Sequence, residues 1–171
     1  TTQWRVLEAG LRILVVWVEL FYETLHVEHF SDYTSLLMLH SIYQHLRYLR
    51  YWPARHGNHL IMEMDSLATG CVAFPELKKS KKWLKKALKR METEITKKQV
   101  YPDGVQNELT AHYHEVALHH FEHFAKLLKN RNLSVSKDYK SVLEKMWDYL
   151  VYSMRPNGTQ PLNNDSVLKD N

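Results

Sequence analysis

The sequence has few residues that interrupt helices or cross-link a chain. Its 171 residues include only five glycines, five prolines and one cysteine. Such sparse helix breakers favour long helices joined by short connections over a disordered chain. The single cysteine, Cys71, has no partner for an internal disulfide, so a disulfide-stapled fold is excluded. Because Cys71 lies in an apolar stretch, we expect it to be buried as a small hydrophobic residue.

Long apolar runs are also missing from the sequence. No run reaches the length of a membrane span, and the first residues lack the basic-then-apolar order of a signal peptide. If the protein is exported, we expect its signal to lie upstream of this sequence. The net charge of +4 at pH 7 is a modest excess. It favours an anionic partner, but it does not distinguish a glycan from a nucleic acid or a phospholipid.

Apolar residues recur at helical spacing nearly from end to end, and no segment shows the alternation of a strand. The first three predicted helices cover about residues 3–25, 32–50 and 59–72, the second entered through Ser31 or Asp32. A fourth begins with Pro75 in its first turn, and a sixth is capped by Ser136. The fifth places on one face Leu109, Tyr113, Val116, Ala117, His120 and Phe124. The short connections predict antiparallel hairpins in one all-α domain over residues 1–171. A bundle, an α-solenoid and part of an α/α toroid all fit this pattern.

Several short motifs occur in a characteristic order along the chain. They are Trp4-Arg5 with Glu8-Ala9-Gly10 and Arg12; Gly57-Asn58-His59; Phe74-Pro75-Glu76 with Trp83; Asp103-Gly104-Val105-Gln106, leading through Glu108 to Tyr113-His114; and Asn157-Gly158, Pro161 and Asn164-Asp165. In this order and spacing they resemble the N-terminal toroid of the heparinase II/III and alginate lyase families. The resemblance implies that the chain is part of an (α/α) toroid. It also implies further toroid helices and a C-terminal β-sandwich, which these 171 residues do not include.

The resemblance implies a polysaccharide lyase that cleaves uronate-containing chains, such as heparan sulfate, heparin or alginate, by β-elimination. Such a lyase removes the C5 proton of a uronic acid, whose carboxylate must first be neutralised by a hydrogen-bond donor. The resemblance assigns this donor role to Asn58, helped by His59. It assigns to Tyr113 the role of base, and to the same phenol or to a histidine from a later region of the family the role of acid toward the leaving O4. No metal or organic cofactor is required by this chemistry.

Four further residues are predicted to contact the substrate. Trp52, beside Pro53 in the loop before Asn58, is a candidate for stacking on a sugar ring. Matching family positions suggest substrate contacts for Gln106, Glu108 and His114. The resemblance also implies a periplasmic or secreted protein with an acidic polysaccharide as partner, and no nucleic acid or membrane. Because an active-site histidine of the family usually comes from a later region, we expect little turnover from this chain alone.

Each of these residues also has a structural explanation. Tyr113 shares the apolar stripe of its predicted helix and so fits a core position, whereas Asn58 fits an ordinary helix N-cap.

The lysine-rich helix after Pro75 has an intact apolar stripe, so its lysines are predicted to form a solvated outer face. His119 with His123, and His26 with His29, have spacings that metal ligands use. Since a metal site needs further ligands and no His-Glu-x-x-His run occurs, no metal site is predicted.

Two other functions compete with the lyase. A toroid glycoside hydrolase would use Asp103 and Glu108 as its two carboxylates, although their spacing is not distinctive. A non-catalytic helical module that binds an anionic glycan is the other alternative. Nucleic-acid binding through the lysine-rich helix is weaker, because no recognition motif accompanies the charge. The lyase makes a geometric prediction: Asn58 and Tyr113 should face one groove, because a single uronate ring must contact both.

Overall fold

A computed structural model describes residues 4–166 of the chain; Gln3, the predicted start of the first helix, lies outside the described residues. The α-helices of the described part are α1 Val6–Leu11, α2 Val18–Thr24, α3 Asp32–Tyr51, α4 Gly57–Ala73, α5 Ser80–Thr93, α6 Ala111–Lys129 and α7 Lys137–Ser153. A π-helical segment, Arg12–Trp17, joins α1 to α2, and a second, Glu94–Lys98, extends α5. Between residues 4 and 166 there is no strand, and the bridge Val100↔Gln106 is isolated. The all-α prediction is confirmed.

The chain divides into two compact units, Thr1–Ala87 and Leu88–Asn171, and the division falls within α5. The expectation of a single domain over residues 1–171 stays a prediction.

Helix α4 forms the centre of the first unit. The helix α1, the π-helical segment after it and α3 all pack against α4. Its buried apolar residues include Leu60, Ile61, Met64, Leu67, Ala68 and Cys71. A Cβ atom on Gly70 would overlap the side chain of Leu46 on α3, so glycine allows the two helices to approach closely. Burial of Cys71, as the sequence predicted, raises the pKa of its thiol to about 12.

Helices α6 and α7 form an antiparallel hairpin in the second unit. Near the start of α7, the Tyr139 hydroxyl donates to the Phe121 carbonyl on α6 at 2.8 Å. Near the start of α6, His114 is bonded to the Met146 carbonyl further along α7 at 2.9 Å. This crossed order of contacts means that the two helices run in opposite directions. The hairpin buries Phe121, Phe124, Leu128, Tyr139 and Met146.

The predicted helix N-caps are confirmed at two helices. The Ser31 hydroxyl accepts from the Thr34 amide at 3.2 Å, and the Ser136 hydroxyl accepts from the Tyr139 amide at 3.0 Å. Each bond satisfies a backbone donor that the first turn of a helix leaves without a partner. The sequence therefore located the starts of α3 and α7 correctly.

The starts of α5 and α6 differ from the prediction. Pro75 lies in a turn, and α5 begins only at Ser80, whose hydroxyl donates to the Cys71 carbonyl at 2.7 Å. This bond ties the start of α5 to the end of α4, so the intervening residues are taken up by turns. Leu109 lies before α6 with a φ of 56° and a half-exposed side chain, so it does not belong to the apolar face of that helix. The amphipathic reading of α5 is correct, since its lysines are exposed apart from the half-buried Lys86.

None of the helices between residues 4 and 166 combines the length and the apolar character that a membrane-spanning helix requires.

Candidate functional site

Three of the predicted site residues lie around the loop between α3 and α4, in the first unit. Trp52 follows the last turn of α3, and its side chain is 67% exposed. Asn58 is in the first turn of α4 and is buried, whereas the next residue, His59, is exposed. The N-cap position belongs to His56, so the interpretation of Asn58 as the N-cap is wrong.

The entry into α4 depends on a glycine. Gly57 has a φ of 78°, a backbone conformation that residues with a side chain rarely adopt. The chain leaves an extended His56 and turns sharply at Gly57 into the helix. The conformation of Gly57 therefore determines where α4 begins, and with it the position of Asn58 in the first turn of the helix.

A buried carboxyl group holds the loop that precedes Asn58. The Glu63 carboxylate on α4 accepts a hydrogen bond from the Ala54 amide at 2.6 Å, and Glu63 is almost fully buried. Burial raises the pKa of Glu63 to about 7, and the bond from the Ala54 amide opposes this rise. The ionisation of one group on α4 is thus linked to the conformation of the loop that carries Trp52.

The other predicted residues lie in the second unit, around the loop 99–110 and the start of α6. The loop closes on itself, because the Tyr101 amide donates to the Val105 carbonyl and the Asn107 amide to the Gln99 carbonyl, at 2.9 and 2.8 Å. Gly104 has a φ of 94°, and a Cβ atom there would overlap the backbone of Lys145 on α7. Glycine therefore lets this loop rest directly on α7.

Gln106 and His114 are both buried and bonded to each other. The backbone amide of Gln106 donates to Nδ1 of His114 at 3.3 Å, and Nε2 of His114 is 2.9 Å from the Met146 carbonyl oxygen. Since a carbonyl only accepts, Nε2 carries the proton and Nδ1 is the acceptor, which is the neutral form of the ring. Burial lowers the pKa of His114 in agreement with this assignment, although the bond to Met146 acts in the opposite direction.

Tyr113 is half-buried and does not belong to the buried face of α6. Its amide donates to the Thr110 hydroxyl at 3.0 Å, which caps the helix. The core of α6 is formed instead by Ala111, His114, Ala117, Leu118, Phe121, Phe124 and Leu128. The helical face predicted for Tyr113 is therefore wrong, and the phenol lies beside the core and partly in solvent.

Asn163, which was not among the residues predicted from the sequence, supports the start of α6. Its side-chain oxygen accepts from the Ala111 amide at 3.1 Å, and its side-chain nitrogen donates to the Leu109 carbonyl at 2.8 Å. The Asn164 amide group also donates to the Leu109 carbonyl, at 3.3 Å. These bonds hold Leu109 in its left-handed conformation, which costs free energy for a branched side chain. The adjacent asparagines after Pro161 were the signal in the sequence.

The two carboxylates of the hydrolase alternative lie in the loop 99–110. Asp103 is exposed, and its carboxylate accepts from the Val105 amide at 3.2 Å, within the turn of the loop. Glu108 is exposed, and its amide donates to the Gln106 side chain at 2.9 Å. Asp103 thus has a structural role in the turn.

The structure brings together Trp52, Asn58 and His59 around one loop, and Gln106, Glu108, Tyr113 and His114 around another. The common groove for Asn58 and Tyr113 stays a prediction, since these residues belong to different units. Within residues 4–166, no three His, Cys, Asp or Glu residues are grouped so that they could hold a metal ion.

A family model described as Heparinase II/III N-terminus matches residues 1–171. This chain belongs to the heparinase II/III family. A heparin-sulfate lyase of Pedobacter heparinus is 34% identical over 134 residues, which are 77% of this chain and 20% of the relative. A heparin-sulfate lyase of Bacteroides stercoris is 35% identical over 115 residues, 66% of this chain and 17% of the relative.

Solved structures of the heparinase II/III family share the fold. The crystal structure of heparan sulfate lyase HepC from Pedobacter heparinus has a TM-score of 0.79 and 31% identity, and the match covers 98% of this chain and 26% of that one. A crystal structure of Heparinase III has a TM-score of 0.83 and 26% identity, covering 91% and 24%. The predicted fold, part of a helical α/α toroid, is thereby confirmed. The chain spans about a fifth of the length of the curated relatives it matches.

Proposed function

We propose that the protein carrying this chain is a polysaccharide lyase that cleaves heparan sulfate, heparin or a similar uronate-containing polysaccharide by β-elimination. The match of the heparinase II/III N-terminal model to residues 1–171 carries this proposal. The names of the relatives, heparin-sulfate lyases, support the substrate class. Alginate is a less supported substrate, because neither of these relatives carries that name.

The proposed reaction uses an amide donor from the first unit. The substrate carboxylate accepts hydrogen bonds from Asn58 and His59, which disperses the negative charge that develops when the C5 proton leaves. Asn58 lies in the first turn of the long helix α4, where the helix dipole favours an anion. Its buried position fixes the donor before the substrate arrives, so little reorganisation is needed during the reaction.

A phenol from the second unit then moves the proton. Tyr113, in its deprotonated tyrosinate form, takes the proton at C5 and becomes a neutral phenol. The electron pair of the broken C–H bond forms the C4–C5 double bond, and the bond from C4 to O4 breaks. The leaving O4 takes a proton from Tyr113 or from a histidine elsewhere in the protein. No water is consumed, which separates this reaction from hydrolysis. Gln106 and His114 are buried and bonded to each other, so we propose that they position the loop beside Tyr113 while Trp52 and Glu108 meet the substrate.

The test replaces Tyr113 with phenylalanine in the protein that carries the chain. Phenylalanine keeps the ring and its packing but cannot exchange a proton, so turnover should fall by about 10² to 10⁴ while the affinity for heparan sulfate stays within twofold, on the order of RT. The formation of an ultraviolet-absorbing unsaturated product measures elimination. Tyr152→Phe is the matched control, because Tyr152 is 87% exposed.

Three outcomes contradict the proposal. Normal turnover in Tyr113→Phe would exclude Tyr113 as the base. A saturated product would indicate hydrolysis and bring Asp103 and Glu108 back as candidates. Binding of acidic glycans without any product, in the unmodified protein, would favour a non-catalytic binding module.

A further inference from the structure

A cavity of about 590 Å³ lies at the C-terminal end of α3 in the first unit. It is lined by Trp4, Gln44, Arg47, Tyr48, Tyr51 and Trp52. Four of these six side chains are aromatic, one is a cation and one is an amide. None is acidic, so the lining carries a net positive charge.

The aromatic walls of the cavity are held in place by the first unit. The Trp4 ring lies 4.9 Å from the ring of the buried His45 and meets Tyr48 edge-on at 5.7 Å. The Tyr48 hydroxyl donates to the Trp4 carbonyl at 2.8 Å. The guanidinium of Arg50 lies 5.1 Å from the ring centre of Tyr51. Although these rings are fixed, Trp4, Tyr51 and Trp52 are each about half or more exposed.

Arg47 supplies the charge of the cavity. Its side chain is exposed, and no carboxylate of residues 4–166 pairs with it. A guanidinium presents a planar fork of donors that matches a carboxylate or a sulfate. Gln44 adds a neutral amide beside it. The cavity thus combines flat apolar surfaces with one free cation.

We propose that this cavity is a subsite for an acidic sugar residue of the polysaccharide, next to the residue that is cleaved. In this subsite, Arg47 pairs with the carboxylate or sulfate, and the aromatic side chains contact the C–H face of the sugar ring. This proposal rests on the proposed function and extends it. Trp52 belongs both to the cavity and to the loop that leads to Asn58, six positions later, a separation of at most about 20 Å along the chain. A short oligosaccharide spans that distance.

Stacked aromatic rings and a cation also suit a single-stranded nucleic acid. The observations favour a sugar, because a single unpaired arginine lines the cavity and a polynucleotide site requires a track of basic side chains along the backbone. An oligonucleotide therefore serves as a competing ligand in the test.

The test measures binding by titration calorimetry in the Tyr113→Phe background, which prevents turnover. Three tetrasaccharides are compared at one salt concentration: a sulfated heparan sulfate fragment, its unsulfated counterpart with uronate carboxylates, and a neutral one. The fourth ligand is an oligodeoxynucleotide with the same net charge as the sulfated tetrasaccharide. Arg47→Gln should weaken binding of the acidic tetrasaccharides about tenfold or more, as expected for a charge-assisted hydrogen bond. If Arg47→Gln lowers the affinity for the sulfated tetrasaccharide only, Arg47 pairs with a sulfate. If it lowers the affinity for both acidic tetrasaccharides, Arg47 pairs with the carboxylate.

Two further variants sharpen the result. Arg47→Lys keeps the charge without the fork, so its affinity should lie between those of Arg47→Gln and the unmodified side chain. Lys82→Gln removes one positive charge from an exposed lysine outside the cavity and should change affinity by less than about twofold. Equal effects of Lys82→Gln and Arg47→Gln would overturn the subsite, because they would indicate general charge attraction. The subsite would also be overturned if Arg47→Gln lowered the affinity for the oligodeoxynucleotide as much as the affinity for the acidic tetrasaccharides.

Kinetics separate this subsite from the proposed reaction. With Tyr113 intact, Arg47→Gln should raise KM about tenfold with little change in kcat, because Arg47 contacts a sugar that does not react. A large fall in kcat with an unchanged KM would contradict the subsite. If no unsaturated product forms even before Arg47 is replaced, the proposed function fails, while the binding measurements still decide whether the cavity holds an acidic sugar.

Discussion

The supports of Asn58 and of Tyr113 differ in their chemistry. In the first unit, the loop before Asn58 is held by the buried carboxyl of Glu63, whose pKa burial raises to about 7. In the second unit, the loop before Tyr113 is held by a neutral His114 and by the amide of Asn163. Charge can change in the first support near neutral pH, whereas the second depends mainly on shape and neutral hydrogen bonds. The candidate residues of the first unit and those of the second should therefore respond differently to pH and to mutation.

The direction of each response follows from the pKa shifts. Glu63 binds its proton more tightly in the folded protein than in the unfolded chain, so its contribution to stability is lost as pH rises from 4.5 through about 7. Burial lowers the pKa of His114, so its contribution is lost as pH falls below 6.5. In the first unit, His45 acts like His114, because burial lowers its pKa too, and it partly offsets Glu63.

The largest expected effect is on catalysis. Asn58→Ala removes the proposed donor to the substrate carboxylate, so kcat/KM should fall about 10² to 10³, with a weaker affinity for substrate as well. The unsaturated product gives the rate, and calorimetry gives the affinity.

Asn58→Asp is the informative companion of Asn58→Ala, because it keeps the shape of the side chain but directs an acceptor at the carboxylate. Its activity should be as low as that of Asn58→Ala. Recovery of activity in Asn58→Asp, with unchanged thermal stability, would mean that Asn58 has only a packing role.

Glu63→Gln should remove the contribution of Glu63 to the pH dependence of the first unit and leave that of His45. The amide can still accept from Ala54 but does not ionise, so the decrease in unfolding free energy of about 3 kcal/mol that Glu63 causes between pH 4.5 and 7 should disappear. Chemical denaturation at both pH values measures it. The exposed Glu76→Gln is the control and should retain the dependence of the unmodified chain.

Gly104→Ala tests how far the second unit depends on close packing of the loop 99–110 against α7. The alanine would have to adopt a φ of 94° and would meet the backbone of Lys145, so stability should fall by about 1 to 3 kcal/mol at every pH. Thermal and chemical unfolding at pH 5 and 8 give the two values. A loss of stability that appears at only one of the two pH values would contradict the distinction between the supports in the two units.

His114→Gln should have the smallest effect. Glutamine can keep a donor toward the Met146 carbonyl but does not titrate, so we expect a loss of about 1 kcal/mol at pH 8 from imperfect geometry. The further loss of stability below pH 6.5 should then be smaller than in the unmodified chain. The NMR shift of the Gln106 amide, which donates to His114, reports the titration directly. The exposed His59→Gln should leave that shift unchanged.

The sequence predicted the elements that depend on local signals. Helical periodicity located α3 and α4, and the serine caps located the starts of α3 and α7, because these signals act within a few residues. Pro75 was misplaced since the start of α5 is fixed by a bond from Ser80 to Cys71, which no local pattern encodes.

The residues of the candidate site were predicted only from the resemblance to a known family. Its supports were not predicted, because Glu63 acts on a loop nine positions away and Asn163 acts on a helix start 52 positions away. The cavity around Arg47 was also missed, apart from Trp52. The cavity forms where Trp4 packs against the C-terminal end of α3. Such a contact between distant residues leaves no local pattern in a single sequence.

The bonds from Asn163 and Asn164 have a practical meaning for anyone who shortens this chain. Helix α6 begins at Ala111, but the groups that secure its entry are supplied by residues near the other end of the sequence. A version trimmed after Ser153, where the last helix ends, would look complete on a helix diagram. It would nevertheless release Leu109 from its unfavourable backbone conformation, and the turn that presents Tyr113 would relax with it. The stretch after α7 should therefore be kept with the second unit in any shortened chain, because it supports the segment that leads to Tyr113, the proposed base.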